Sequence, residues 1–174
     1  MKNLLISGLP RSGKTTLVRR LLEQEVLKNE AGGFFTEEIR EQGERVGFMI
    51  QTIPEGRRAL LARKDFQSCF RVGSYGVNTK ALEDLGCQLI EESLQNKKIV
   101  IIDEIGKMEL LSARFRNVLL EALNSSHKVL ATVMERPHPF ADQIKNRIDV
   151  KLLSLNRKNF ASVFEKSKEW MKQP

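Results

Sequence analysis

Apolar positions along the chain fall into two kinds of run. LLIS at 4–7, KIVIID at 98–103, KVLATVM at 128–134 and VKLLSL at 150–155 have strand length and little polar interruption. Such runs mark strands buried on both faces of a parallel sheet. The segments between them repeat apolar residues at helical spacing: Leu17, Val18, Leu21, Leu22 and Val26, then Leu82, Leu85, Leu89 and Ile90, then Phe115, Val118, Leu119, Ala122 and Leu123. A last helix is expected to bury Phe160, Val163, Phe164 and Trp170, with Asn156 as its N-cap. Strands alternating with amphipathic helices predict an α/β fold of three layers with a mainly parallel central sheet.

From 34 to 62 the rhythm changes. FFTEEIR, the turn EQGE, RVGFMIQT, the turn PEGR and ALLA are short runs bounded by Gly and Pro, which predicts an antiparallel β-meander inserted into the fold. FRVGSYGV at 70–77 reads as irregular extended chain. A length of 174 residues corresponds to one domain at ~150 residues per domain, so 1–174 is expected to be a single unit. With 41% hydrophobic and 29% charged residues, disordered and low-complexity classes are excluded. No apolar run approaches the ~18 residues of a membrane span and the N-terminal apolar stretch is short for a signal peptide, so a cytoplasmic protein is expected. Cys69 and Cys87 have neither CxxC spacing nor a histidine cluster around them and read as free thiols.

Chemistry enters at residues 8–15, GLPRSGKT, which fit G-x-x-x-x-G-K-[ST] between a strand and a helix, the context of a P-loop. Gly8, Leu9, Pro10, Arg11, Ser12, Gly13, Lys14 and Thr15 are the expected phosphate cradle. Gly8 and Gly13 let backbone N–H groups approach phosphate oxygens at the positive end of the following helix. Lys14 is a flexible cation for the β- and γ-phosphates, and the Thr15 hydroxyl is placed to ligate Mg²⁺. Asp103, closing an apolar strand, is the expected second metal ligand. The acid directly after it, Glu104, resembles the catalytic glutamate of RecA-like and AAA-type ATPases, which orients and polarises the attacking water. In that branch one strand lies between the P-loop strand and the Asp strand. KVLATVMER fits that place and brings Thr132, Glu135 or Arg136 towards the phosphates.

Taken together, GLPRSGKTTL at 8–17, GGFFTEEIREQGERVGF at 32–48, VGSYGVN at 72–78, VIIDEIGKMEL at 100–110 and RPHPF at 136–140 resemble the THEP-type nucleoside-triphosphatase family. The resemblance covers most of the chain. It implies Mg²⁺-dependent hydrolysis of several nucleoside triphosphates, ATP and GTP among them, with weak base selection. It also implies a second nucleotide-contact segment at Val100, Ile101, Ile102, Asp103, Glu104, Ile105, Gly106 and Lys107.

The residues agree about the base. The N/T-K-x-D motif of small GTPases has no match, since NKKI at 96–99 puts Ile99 where the Asp would stand. Tyr75 and Phe34 are the candidate stacking rings, each equally readable as core. Lys107 either neutralises γ-phosphate charge or pairs with Glu109, and Arg136 is a candidate phosphate contact. No arginine in the motif segments is clearly placed as a finger, and P-loop enzymes without one turn over at ~10⁻⁴ to 10⁻² s⁻¹. Thr36, Glu37, Glu38 and Arg40 read as a polar lid or as ordinary alternation on an exposed strand. The net charge of +7 and a pI near 9.6 allow a nucleic-acid-associated ATPase, but no reader motif accompanies the charge. The other competing reading is a nucleotide or small-molecule kinase whose acceptor sits under the meander. Oligomeric state has no signature in the chain.

Overall fold

A computed structural model describes residues 1–24, 29–54 and 56–173. Val26 of the first helical stripe and Glu55 of the PEGR turn lie outside the described residues.

All nine described strands join one sheet. In chain order they are β1 (Asn3–Gly8), β2 (Ala31–Glu41), β3 (Glu44–Ile53), β4 (Arg58–Arg63), β5 (Arg71–Val72), β6 (Tyr75–Val77), β7 (Ile99–Ile105), β8 (Lys128–Met134) and β9 (Val150–Ser154). Their spatial order is β5-β6-β4-β3-β2-β7-β8-β1-β9. The helices are α1 (Lys14–Leu22), α2 (Thr79–Ala81), a π-helical stretch Leu82–Cys87 continuing into α3 (Gln88–Asn96), α4 (Ala113–Asn124), α5 (Pro139–Lys145) and α6 (Phe160–Lys172), with a 3-10 turn at Glu109–Leu111.

Strict alternation along the central strands divides the core in two. Leu4, Ile6, Phe35, Ile99 and Ile101 pack with Leu17, Val18 and Leu21 of α1 and with Val163 and Trp170 of α6. Leu5, Phe34, Val100 and Ile102 face the other way, onto Ile90 of α3 and Phe115, Val118 and Leu119 of α4. The centre of the sheet is therefore covered on both faces, which is why β1, β7 and β8 carry no polar face. Trp170 closes the first cluster, its indole N–H donating to the Met1 carbonyl at 2.9 Å and joining the two ends of the chain.

The sheet is mixed rather than mainly parallel. β2, β7, β8, β1 and β9 are parallel neighbours, but β3, β4, β6 and β5 continue the same sheet antiparallel. The reason is local: Gln42 (φ 50°) and Gly43 (φ 84°) make a tight turn between the paired Glu41 and Glu44. A two-residue turn of that kind can only return a strand antiparallel, whereas parallel pairing needs a crossover. The meander is thus no inserted layer. Its first strand starts at Ala31, and Ala31–Phe35 is the outer parallel strand against Ile99–Asp103. The segment expected as irregular chain at 70–77 forms the β5–β6 hairpin, with β6 pairing to β4.

Asn156 does not cap α6. Its side-chain oxygen accepts the N–H groups of Lys158 (2.8 Å) and Asn159 (3.2 Å), building a turn before the helix, and the N-cap position is Asn159. None of the described helices is long and apolar enough to cross a membrane.

Phe34, a candidate base-stacking ring from sequence, is 0% exposed and meets Phe115 edge-on at 6.4 Å between centroids. Its role is packing. Replacing it with Ala should cost about 3–5 kcal/mol of unfolding free energy in denaturant titration. A variant that keeps its stability but loses nucleotide affinity would return the ring to the site.

Candidate active site

The carboxyl ends of the parallel strands carry the site. β1 ends at Gly8, the chain turns through 9–13, and α1 starts at Lys14 behind Gly13, whose φ of 99° is readily adopted by glycine alone. Gly8 has a second constraint: a Cβ there would meet the Leu155 carbonyl at 2.6 Å and Ser12 Oγ at 2.5 Å. The loop is thereby pressed against the chain leaving β9. Nothing acidic stands in the first turn of α1, so its positive end is left for an anion.

Lys14 is not a free surface cation. It is 6% exposed, and its ammonium donates to the carbonyls of Gly8 (2.8 Å) and Leu9 (3.3 Å) and lies 3.7 Å from Glu104 Oε1. Thr15 donates its hydroxyl to Asp103 Oδ2 at 2.7 Å, so the end of β7 and the start of α1 meet directly. The other Asp103 oxygen accepts from the Thr132 hydroxyl of β8. Burial pushes the Asp103 carboxyl up, against the lowering pull of Thr132, Thr15, Lys14 and the Thr36 N–H. Thr132 is itself fully buried, beneath the site rather than facing it.

Glu104 keeps 31% exposure at the floor of a cavity of about 670 Å³. The cavity is walled on one side by Pro10, Arg11, Gly13, Lys14, Thr15, Thr16 and Arg19, and on the other by Thr36, Glu37, Glu38, Arg45 and Phe48 of the meander. Burial raises the Glu104 carboxyl and Lys14 pulls it down, with neighbouring Asp103 adding to the rise. A carboxyl of raised basicity beside a lysine ammonium is an arrangement suited to taking a proton from water.

Of the segment Val100–Lys107, only Glu104 lines the cavity. Val100, Ile101, Ile102 and Ile105 are fully buried in the two cores and serve to aim Asp103 and Glu104. Lys107 and Arg136 are exposed and neither lines the cavity, and Lys107 makes no ion pair with Glu109 among the described residues. Leu9 is an exposed apolar residue outside the cavity lining.

Sequence reasoning missed Arg45 and Phe48, because their place opposite the P-loop depends on the pairing of β2 with β7, which has no local signature, and it missed Arg19 of α1, which faces that wall for the same reason. It also missed Glu109, which is 5% exposed and lies behind Glu104: a Cβ on Gly106 would meet Glu109 Oε2 at 2.9 Å and Glu104 Cγ at 3.6 Å. Burial first, and Glu104 second, push its carboxyl up to about 8.

A glycine-bearing strand-to-helix turn, an Asp–Thr contact and a second acid beside that Asp at the tip of β7 define the class: a P-loop nucleotide-binding protein. Residues 3–167 match the family described as NTPase. Nucleoside-triphosphatase THEP1 of Thermotoga sp. (strain RQ2) is 49% identical over 156 residues, 90% of this chain and 87% of that one. The crystal structure of THEP1 from the hyperthermophile Aquifex aeolicus has a TM-score of 0.89 at 34% identity, covering 98% of this chain and 99% of that one. The solution structure of a human cancer-related nucleoside triphosphatase has a TM-score of 0.82 at 30% identity, covering 99% and 98%. The chain belongs to the THEP1-type NTPase family.

Because the Glu109 carboxyl is raised in the folded state, it holds its proton between the ordinary 4.5 and about 8 while the unfolded chain has lost it. Folded stability should therefore fall as pH rises through that window. Glu109→Gln removes the titration and should flatten this fall, read as denaturant midpoints at pH 5 and pH 8. An unchanged slope would mean that Glu109 is ionised in the fold.

Proposed function

We propose that the protein hydrolyses nucleoside triphosphates to the diphosphate and phosphate, with Mg²⁺ as cofactor and weak selection of the base. The observation that carries this reading is Glu104, which lines the same cavity as Lys14 and Thr15, one residue beyond an Asp that the P-loop Thr already touches. Phosphates seat on the backbone of 8–15 and on Lys14. Glu104, next to Lys14, orients the attacking water and accepts its proton. The placement of β8 between β1 and β7 supports the RecA/AAA-like reading of that glutamate. The names of the relatives support hydrolysis.

The donor set suits Mg²⁺. A hydroxyl and a carboxylate oxygen in contact, Thr15 Oγ1 and Asp103 Oδ2, are hard oxygen ligands, and Mg²⁺ typically takes one or two of these and completes its shell with water and phosphate. When bound, the ion would neutralise charge on the phosphates. Among the described residues no group of three or more His, Cys, Asp or Glu could hold a metal alone, so any ion at Thr15 and Asp103 would depend on the nucleotide.

Weak base selection is supported by the rings. Phe34 is in the core, Tyr75 is hydrogen-bonded to Arg45, and Phe48 alone among the aromatic side chains lines the cavity. The nine described strands in one sheet support the reading of 1–174 as a single unit.

Glu104→Gln keeps the size of the side chain and removes the base. It should bind Mg²⁺-nucleotide about as well as the parent and hydrolyse it roughly 10²- to 10⁴-fold more slowly. Asp103→Asn should weaken metal-dependent binding as well as turnover. Phosphate release is measured over ATP, GTP, CTP and UTP, with and without Mg²⁺, DNA and RNA. Hydrolysis surviving in Glu104→Gln at more than about a third of the parent rate would sink the base assignment. Product formation only with an added acceptor would favour a kinase, and strong activation by DNA or RNA would favour a nucleic-acid-associated ATPase.

A further inference from the structure

The meander wall carries one side chain prepared for an anion. Arg45 of β3 is 29% exposed and lines the cavity across from the P-loop. Its Nε donates to the Tyr75 hydroxyl at 3.1 Å and its Nη1 to Glu38 Oε1 at 2.9 Å. Glu38 is held in turn by Arg40. Among the described residues Nη2 has no protein acceptor.

The direction of the side chain is informative. Arg45 stands opposite Arg40 in the β2–β3 register, yet its head reaches Glu38, which stands opposite Phe48, and lies 5.1 Å from the Phe48 ring centroid. It therefore leans along the sheet towards the end where Phe35 pairs with Asp103. Glu38 is three residues beyond Phe35, about 10 Å at ~3.3 Å per residue. A guanidinium steered on two edges, with its outer edge uncommitted, offers a fixed fork that matches phosphate geometry. Arg19, the other meander-facing arginine, is less suited: its head stacks 4.1 Å over Phe35 and pairs with Glu37.

We propose that Arg45 binds the terminal phosphate of a bound nucleoside triphosphate and stabilises its charge during transfer to water, with Glu38 and Tyr75 as positioning residues. This rests on the hydrolase reading above. It adds on β3 an arginine that faces the P-loop from the opposite wall, and gives the meander a task in the reaction. Glu38 suits its part: burial pushes its carboxyl up, but hydrogen bonds from Arg45 and Arg40 outweigh that and hold it below its ordinary value. It remains an ionised anchor.

The test compares the full-length protein with Arg45→Ala, Arg45→Gln, Arg45→Lys and Tyr75→Phe, using Mg²⁺ throughout. Calorimetry gives affinities for ADP and for a non-hydrolysable ATP analogue, and phosphate release gives kcat and KM. Arg45→Ala should leave ADP affinity within about twofold while reducing the preference for the triphosphate analogue, and should lower kcat by at least ~10²-fold, a modest share of the 10³ to 10⁵ that an arginine supplies in other P-loop enzymes. Arg45→Lys should recover part of the binding preference and little of kcat, because an ammonium keeps the charge but not the fork. Tyr75→Phe should lower kcat several-fold with KM nearly unchanged, an aiming defect. If Arg45→Ala does not fold, Arg45→Gln, which retains donors for Glu38, is read instead.

A folded Arg45→Ala or Arg45→Gln with parental kcat and parental triphosphate preference overturns the proposal and leaves the hydrolase reading intact. A parent that binds the triphosphate analogue but releases no phosphate overturns the hydrolase reading, and the binding preference then decides Arg45 by itself. Loss of ADP and triphosphate affinity to the same degree would make Arg45 a support of the cavity wall and also overturn the proposal.

Discussion

The buried carboxylate of Asp103 is the interaction on which the arrangement depends. A carboxylate taken fully out of water is tolerated only when its oxygens are hydrogen-bonded, since each unmet charge costs several kcal/mol. Asp103 meets that demand from three other elements: the Thr15 hydroxyl at the start of α1, the Thr132 hydroxyl of β8 and the Thr36 N–H of β2. Four segments far apart in sequence are thereby drawn to the tip of β7. The phosphate loop, the candidate base and the first residue of the meander wall take their positions from it. The balance still leaves the carboxyl raised, because three neutral donors and a more distant lysine do not replace water. A site in this condition favours a cation, which is what the proposed Mg²⁺ would bring.

Local features of the fold and site were legible in the sequence. The P-loop, the apolar run ending in Asp103 and Glu104, and the strands at 128–134 and 150–155 each announce themselves within a dozen residues, through glycine spacing or uninterrupted apolar runs. The meander was legible as three strands joined by turns, yet its place was not. That Phe35 lies opposite Asp103, and that Glu38 then overlooks the P-loop, is a register between segments some 68 residues apart. Periodicity fixes which residues share a face and is silent about which strand a face meets. Phe34 and Phe35 show the limit well: adjacent rings, both apolar, sent by alternation to opposite cores. Glu109 shows it for charge. Beside Lys107 it reads as a surface partner, and only the 3-10 turn carries it inward behind Glu104.

The overall excess of seven positive charges does not reside at the cavity. Three of the four cations there have a carboxylate at hand, Arg19 with Glu37, Arg45 with Glu38 and Lys14 with Glu104, and exposed Arg11 is the exception among the described residues. Pairs as exposed as the first two contribute little to stability, about 0–1 kcal/mol each. Their value is geometric. They keep long side chains extended along the wall, so that on the proposed reading a phosphate would meet the Arg45 guanidinium already oriented, with less entropy to lose in ordering it.

Lys14 and Glu104 are a different case, because both lie in a recess and one of them is wanted elsewhere. The ammonium is shared between two backbone carbonyls and the Glu104 carboxylate, and its charge opposes the rise that burial gives that carboxyl. On the proposed reading, a phosphate seated on the loop draws the ammonium towards itself. Glu104 then keeps its burial and the nearby charge of Asp103, both of which raise its basicity, and loses the influence that opposed them. Substrate binding would in this way strengthen the base at the moment a water is presented to it.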